Sequence, residues 1–458
     1  MLNTAASKNK MGEMPIGKLM ADMSIPTMAS MLLMAIYNIA DSIFVAHVSN
    51  DALVAVSFTY AFQAVLNAVA VGTGIGICSL VSRRLGERNQ PGADAAASVG
   101  QFLALASGFV FGVLYFFFSR PLLKAFGAEN EILELAVKYL TICGTFCLPG
   151  ILQAVSEKTL QGTGNTFYPM LIQLSGVVVN IVLDPLLIFG MMGIPSMGVT
   201  GAAIATVIGQ TVSMLLSIYL LYVKNKLLHV RLFCCFPKIE LLRDIYSAAM
   251  PVILMQGMGA FVNLALNKIL AISAPATVGI LGIYYKLQSF AYLPVLALNG
   301  SAISIIAYNY GAKNEQRMAK TIKTGTLFAL LFMMGGLAVL HLFPLQLLQM
   351  FKIPPHMAEI GTKALRRTSL CFPFAGVGII LSAFFQAVGK GKISLIISIL
   401  RQIALVLPLA YAASLYWGVH AIWFAFPIAE IISMVLYWVL AVHFFKRISR
   451  ELSGCMHI

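Results

Sequence analysis

The sequence predicts an all-α membrane protein: twelve transmembrane helices in two six-helix bundles related by an internal parallel repeat. Three observations lead there. Hydrophobic residues make up 59% of the 458 residues and charged residues only 10%, against roughly 45–50% and about 25% in soluble chains. Apolar runs of spanning length recur along the whole chain. The two halves also align on each other at a fixed offset.

The charge deficit decides the class. With 31 Lys and Arg and 17 Asp and Glu, there are too few charges to clothe a soluble fold of this size. That sets the soluble-enzyme class aside. A net charge of +14 suggests nucleic acid in a soluble chain. In a membrane chain it is first a topology signal, so the expected partner is the lipid bilayer and no nucleic acid is called for.

A span needs about 20 mostly apolar residues. Twelve segments meet this, at 19–46, 52–80, 95–119, 132–155, 167–190, 199–223, 245–272, 276–308, 321–343, 360–386, 393–417 and 419–445. The runs are continuously apolar, without the alternation of a β-barrel. An even number of spans puts both termini on one side. Of the 31 Lys and Arg, 22 sort to that side, Lys158 and Arg401 among them. Eight sort to the other: Arg120, Lys124, Lys138, Lys268, Lys352, Lys363, Arg366 and Arg367. Lys286 lies within a span. The positive-inside rule then makes both termini cytoplasmic. The expectation is a multi-pass protein of the inner or plasma membrane, with the first span retained rather than cleaved as a signal.

The repeat is the most informative feature. An offset of 225 relates Pro26 to Pro251, Asn38 to Asn263, Gln63 to Gln288, Asn89 to Asn314, Gln161 to Gln386 and Gly164 to Gly389. After a five-residue deletion the offset becomes 220, relating Gly198-Val199 to Gly418-Val419 and Ser213-Met214 to Ser433-Met434. The chain then divides into a lobe at 1–223, a Lys- and Arg-bearing cytoplasmic linker at 224–243, and a lobe at 244–458. Six spans return the chain to its starting side, so the repeats are parallel. Transporters of this kind bind substrate between the halves and work by rocking.

Particular residues carry a family resemblance. The first span reads Ile25-Pro26 … Tyr37-Asn38-Ile39-Ala40-Asp41-Ser42-Ile43-Phe44-Val45. The fifth reads Val179-Asn180-Ile181-Val182-Leu183-Asp184-Pro185-Leu186-Leu187-Ile188-Phe189-Gly190. Gly198-Val199-Thr200-Gly201-Ala202-Ala203-Ile204-Ala205-Thr206 follows, and Leu160-Gln161-Gly162-Thr163-Gly164-Asn165 ends the fourth. Together these resemble the multidrug and toxic compound extrusion (MATE) family over essentially the whole chain. The resemblance implies a V-shaped twelve-helix antiporter. It would export amphipathic, often cationic compounds, driven by inward H⁺ or Na⁺. No cofactor is implied. One branch of the family uses acids in the seventh and tenth spans. Here Phe261–Asn267 and Cys371–Gln386 hold none, so the chain looks closer to the DinF-like branch.

Asp41 and Asp184 are the sharpest candidates for coupling. An ionised carboxylate within a span is costly and normally faces a cavity or a partner. Tyr37 and Asn38 share a helix face with Asp41, and Asn180 shares one with Asp184. Pro185 leaves the carbonyl of Ile181 without its helical partner. By the resemblance, Asn180 and one of Thr200 or Thr206 join the network, and any metal is Na⁺ at Asp41 and Asp184. The offset of 225 takes Asp41 to Leu266 and Asp184 to Leu409, so coupling is expected in the first lobe alone. A buried acid held by Tyr or Asn is the plainer alternative.

Lys286 and Glu430 are the other intramembrane charges, read either as one ion pair or as substrate contacts. Gln288, Asn299, Met31, Met34 and Met258 are weaker candidates for a substrate cavity, since flexible thioethers suit promiscuous apolar binding. Seven cysteines show no disulfide or zinc spacing. Cys143 and Cys147 read as packing residues, and Cys234-Cys235 as a conceivable palmitoylation site. Gly72-Thr73-Gly74-Ile75-Gly76 lacks the strand and the Walker Lys of a nucleotide loop; it reads as a site of close helix approach. Asn299-Gly300-Ser301 matches a glycosylation sequon but lies inside a span. No catalytic constellation is visible, so no enzyme activity is expected. The reading is a monomeric multidrug exporter. A lipid-linked saccharide flippase of the same superfamily is the alternative, and a non-transporting receptor is more remote.

Overall fold

The structure is a computed structural model. It describes residues 9–191, 193, 195–231, 238–273, 277–351 and 353–454, so Lys352 and Cys234-Cys235 lie outside the described residues. Among the described residues the chain is helical, without a strand. The first half forms α1 (Lys10–Glu13), α2 (Ile16–Ala46), α3 (Asn50–Gly86), α4 (Gln90–Ala125), α5 (Asn130–Thr145), α6 (Leu148–Gly162), α7 (Phe167–Phe189) and α8 (Val199–Tyr219). α8 runs on into a π-helical turn at Leu220–Lys224. The second half forms α9 (Ile239–Ser273), α10 (Thr277–Gly311), α11 (Glu315–Leu342), α12 (Pro344–Met350), α13 (Pro355–Ser369), α14 (Phe372–Ala387) and α15 (Gly391–Ile399). A π-helical stretch at Leu400–Val406 follows, then α16 (Leu407–Tyr416), α17 (Val419–Ile422) and α18 (Ala425–Gly454).

Among the described residues, eleven helical stretches are long and apolar enough to cross a membrane. α5 and α6 together make a twelfth, bent by 49°. Pro149 explains the break: within the first turn of α6 its missing N–H costs nothing, but it cannot continue α5. α6 runs on to Gly162, beyond the 132–155 span expected, because its second half is stitched by polar contacts. The hydroxyl of Ser156 donates to Gln101 Oε1 at 3.1 Å, and that of Ser82 to the carbonyl of Gly162 at 2.7 Å.

The helices form two compact units. Unit 1 is Met1–Glu13 with Ile25–Ile253, and unit 2 is Met14–Ser24 with Leu254–Ile458. Two of the three chain boundaries fall inside a helix, after Ser24 in α2 and after Ile253 in α9. The first turns of α2 pack in unit 2, where Ser24 donates to the hydroxyl of Ser301 at 3.0 Å and Arg317 Nη2 donates to the carbonyl of Met14 at 2.8 Å. The first half of α9 packs in unit 1 through glycine contacts. A Cβ added at Gly76 would stand 2.6 Å from the carbonyl oxygen of Ile245. Gly72, Gly74 and Gly76 are buried in α3, which fits close helix approach.

Unit 1 is centred on Ile77, Val81, Ala97, Leu152 and Val155. In unit 2, Tyr284, Phe372, Phe384, Phe385 and Trp423 are the largest wholly buried side chains. The repeat is written in the backbone of both. Arg88 and Lys313 take φ of 57° and 56°, each just before an Asn that caps the next helix. Asn89 accepts from the Gly92 N–H at 2.9 Å, and Asn314 from that of Arg317 at 3.1 Å. One difference between the units falls at α7. α7 runs unbroken for 23 residues, whereas its counterpart is interrupted by the π-helical stretch Leu400–Val406.

Candidate ion-coupling site

The site lies in unit 1, where α2, α5, α7 and α8 meet. Asp41 sits near the end of α2, and Phe44 one turn later meets Phe189 of α7 edge-on at 6.4 Å between ring centres. On the same two helices, Asp41 and Asp184 lie within electrostatic reach of each other. Asp184 is wholly buried. Both its oxygens, and Oδ1 of Asp41, have no hydrogen-bond partner in the chain. Oδ1 of Asn180, one turn earlier on α7, is likewise unpartnered.

Hydroxyls complete the cluster. Tyr37, one turn before Asp41, is hydrogen-bonded to Thr206 on α8 and lies within electrostatic reach of both acids. Asn180 Nδ2 donates to Thr206 Oγ1 at 3.4 Å, and Thr206 in turn donates to the carbonyl of Ala202 at 2.9 Å. Of the two threonines expected here, Thr206 makes these contacts. The Thr200 side chain makes no described hydrogen bond to the cluster. Asn38 is exposed, and its described role is a carbonyl that accepts from Ser42 at 2.7 Å.

Three further residues join that sequence reasoning did not single out for this role. Tyr139 of α5, 3% exposed, lies beside Asp41, Tyr37 and Cys143 and is hydrogen-bonded to Gln63 of α3. Cys143 Sγ donates to the carbonyl of Ala203 at 3.9 Å, and Cys147 Sγ to that of Gly108 at 3.6 Å. Gln63 had a signal, as the repeat partner of Gln288. Val45, Ala52, Ile188, Val199, Ala202 and Ala203 form an apolar cluster with Tyr139 one turn beyond both acids. An apolar layer there limits how water reaches the carboxylates.

A second polar chain crosses unit 1. Gln173 of α7 donates to Met34 Sδ at 3.3 Å. Gln153 of α6 donates to Gln173 Oε1 at 3.3 Å and to Glu157 Oε1 at 2.9 Å. Glu157 is thus an intramembrane acid, hidden in the sequence by its place near the end of the predicted fourth span. Lys158 was counted with the loops, but it lies in α6 and bonds Gln161 Oε1 at 3.0 Å. Met31 is half-buried on α2 and Met258 half-buried on α9.

Unit 2 corrects the expected pairing. Lys286 and Glu430 do not pair. The Lys286 ammonium lies over the Phe351 ring at 5.9 Å. Glu430 Oε1 instead accepts from Arg401 Nη1 at 2.7 Å. Arg401 had been sorted with the cytoplasmic loops, but it sits within the spanning stretch Gly391–Tyr416. The expected span 393–417 already holds Arg401 eight residues from its start, so its charge belongs with the span and not with the loop before it. Gln288 is hydrogen-bonded to Tyr292, which lies beside Glu430 and Arg401. Asn299 is half-buried, with its Oδ1 unpartnered.

Known proteins supply the rest. The MatE family model matches residues 26–186 and 248–412, once in each repeat. The chain is 29% identical over 434 residues to the FAD transporter of Shewanella oneidensis, covering 93% of this chain and 94% of that one. It is 27% identical over 418 residues to the multidrug export protein MepA of Staphylococcus aureus, with 91% of each covered. Among solved structures, the outward-facing conformation of a multidrug resistance MATE family transporter superposes with a TM-score of 0.90 at 25% identity, over 96% of this chain and 98% of that chain. A MATE protein in its straight conformation superposes at 0.91 with 25% identity, over 97% and 99%. The two acids, the duplicated six-helix plan and these matches agree: the chain belongs to the MatE family, the multidrug and toxic compound extrusion transporters, and is a membrane transporter rather than an enzyme.

Proposed function

We propose that the chain is a cation-coupled antiporter that exports amphipathic, often cationic compounds by alternating access. One observation carries the reading. Asp184 is wholly buried beside Asp41, and its carboxylate oxygens have no partner in the chain. A bare carboxylate pair within a span is untenable. A proton or Na⁺ supplies the missing charge, and the unpartnered Asn180 oxygen and the hydroxyls of Tyr37 and Thr206 are suited to either. Binding there draws α2 and α7 together, and release lets them part, which links the ion to the first helix. Glu157, with Gln153, Gln173 and Met34, offers a cationic compound a counter-charge and a polarisable surface in the same unit.

In this reading the lobes at 1–223 and 244–458 work as a monomer in the inner or plasma membrane. They are joined by the cytoplasmic linker 224–243, and both termini are cytoplasmic. The bias of basic residues supports that orientation. The Shewanella relative is named for a different cargo, so the test pairs two solutes. Efflux of ethidium and of FAD is compared in cells expressing the wild type, Asp41→Asn and Asp184→Asn at equal protein level. Ethidium efflux that is strong in the wild type and lost in both variants is expected. Ethidium efflux retained in both removes the coupling role.

A further inference from the structure

Arg401 lies inside a span with its guanidinium held by a carboxylate of another span, and the repeat shows that the first lobe does without such a pair at the equivalent place. Its counterpart at offset 225 is Gly176, and at offset 220 Glu430 corresponds to Gln210. In unit 1 the helices at this place close without charge, on backbone and on the hydroxyl of Ser213, which donates to the carbonyl of Ile172 at 2.9 Å. A Cβ on Gly209 would stand 2.9 Å from the carbonyl oxygen of Gly176. In unit 2 the same helix pair carries a charged pair and departs from α-helical geometry over Leu400–Val406. Burying an ion pair commonly gains little over an apolar contact, and π-helical insertions concentrate at functional sites. A duplicated bundle that packs without charge in one copy and with charge in the other points to a use for that charge.

The geometry says which use. Arg401 has five N–H donors, and Glu430 is described as taking one, through Nη1. The Arg401 side chain is 25% accessible and that of Glu430 14%. Charged donors within a span do not face hydrocarbon, so the spare ones face a watered space. Tyr292 stands beside the pair, with Gln288 and Cys371 bonded to it, and Tyr437 lies within reach of Arg401. A guanidinium with spare donors among aromatic rings suits a planar anion, because it binds carboxylate or phosphate through two parallel N–H bonds while the rings hold an aromatic body.

We propose that Arg401, held ready by Glu430 and flanked by Tyr292, is a binding subsite in unit 2 for the carboxylate or phosphate group of an aromatic amphipathic solute. The subsite deepens the exporter reading by adding an anion-accepting end to the substrate class. It rests on that reading only for transport, since binding itself needs no gradient.

The test is therefore equilibrium binding to purified full-length protein in neutral detergent. Fluorescein, an aromatic carboxylate, is titrated by fluorescence anisotropy, with ethidium titrated in parallel. Arg401→Gln should raise the fluorescein Kd at least tenfold and leave that of ethidium within twofold. Glu430→Gln, which removes the competing carboxylate, should lower the fluorescein Kd about threefold or more. The paired change Arg401→Met with Glu430→Met should keep the melting temperature and lose fluorescein binding, which covers the case in which Arg401→Gln alone fails to fold. Unchanged fluorescein Kd in the variants, or no binding by the wild type, overturns the subsite. Displacement of the dye by phosphatidylglycerol in mixed micelles but not by benzoate or inorganic phosphate also overturns it, since the pair would then serve a lipid headgroup. Loss of ethidium efflux in cells with fluorescein binding intact would count against the exporter reading alone.

Discussion

Asp184 lies wholly buried beside Asp41, and neither of its carboxylate oxygens has a hydrogen-bond partner in the chain. A side chain kept for stability would be paired, because an unsatisfied buried polar group costs about 1–3 kcal/mol and a charged one more. Asp184→Asn should therefore leave the melting temperature unchanged or higher while cutting efflux at least tenfold. Thermal unfolding in detergent and dye efflux from the same preparation check this. A fall in melting temperature that matches the loss of efflux assigns Asp184 to the fold instead.

Tyr139 holds its place through Gln63 and stands beside Asp41. Tyr139→Phe keeps the ring in its apolar cluster and removes the hydroxyl. The loss of one hydrogen bond of about 1 kcal/mol should raise the apparent KM for the coupling ion about fivefold and leave maximal efflux unchanged. Efflux measured across a range of coupling-ion concentrations reads the split.

Much of this was legible in the sequence, for identifiable reasons. The twelve spans follow from apolar run length. The repeat follows from polar and Pro positions that hold one register, and the paired left-handed Arg88 and Lys313 bear it out in the backbone. Asp41 and Asp184 stood out because acids are rare in spans. Glu157 did not, because it lies just past the expected span 132–155 where charges are ordinary, and Arg401, inside the expected span 393–417, was masked by being grouped with the basic loop before it. The Arg401–Glu430 contact spans 29 residues and depends on a π-helical register that no residue pattern announces. Nor does chain order show that Ile16–Ala46 and Ile239–Ser273 each divide between two compact units.

Gly201 lets α8 touch α7 close to Asp184. A Cβ there would stand 2.6 Å from the carbonyl carbon of Leu187, a backbone atom that cannot swing aside. Gly201→Ala should cost about 1–3 kcal/mol and lower efflux with it. A melting temperature unchanged within a degree would show that the helices separate freely here.

Arg401 and Glu430 should respond as a unit. Arg401→Ala leaves Glu430 uncompensated, at about 3–5 kcal/mol. Replacing both by Met should be near neutral. Thermal unfolding of the two singles and the double gives the coupling, and a double variant as unstable as the worse single would contradict it.

Ion coupling at Asp41 and Asp184 is tested most directly by counter-transport in proteoliposomes. A pH gradient and a Na⁺ gradient are imposed separately, with wild type, Asp41→Asn and Asp184→Asn reconstituted at equal density and ethidium as the solute. The prediction is that one of the two gradients drives uphill ethidium movement by the wild type, and that neither variant responds to it. Uphill movement that persists in both variants, or that the wild type shows under neither gradient, would contradict the assignment.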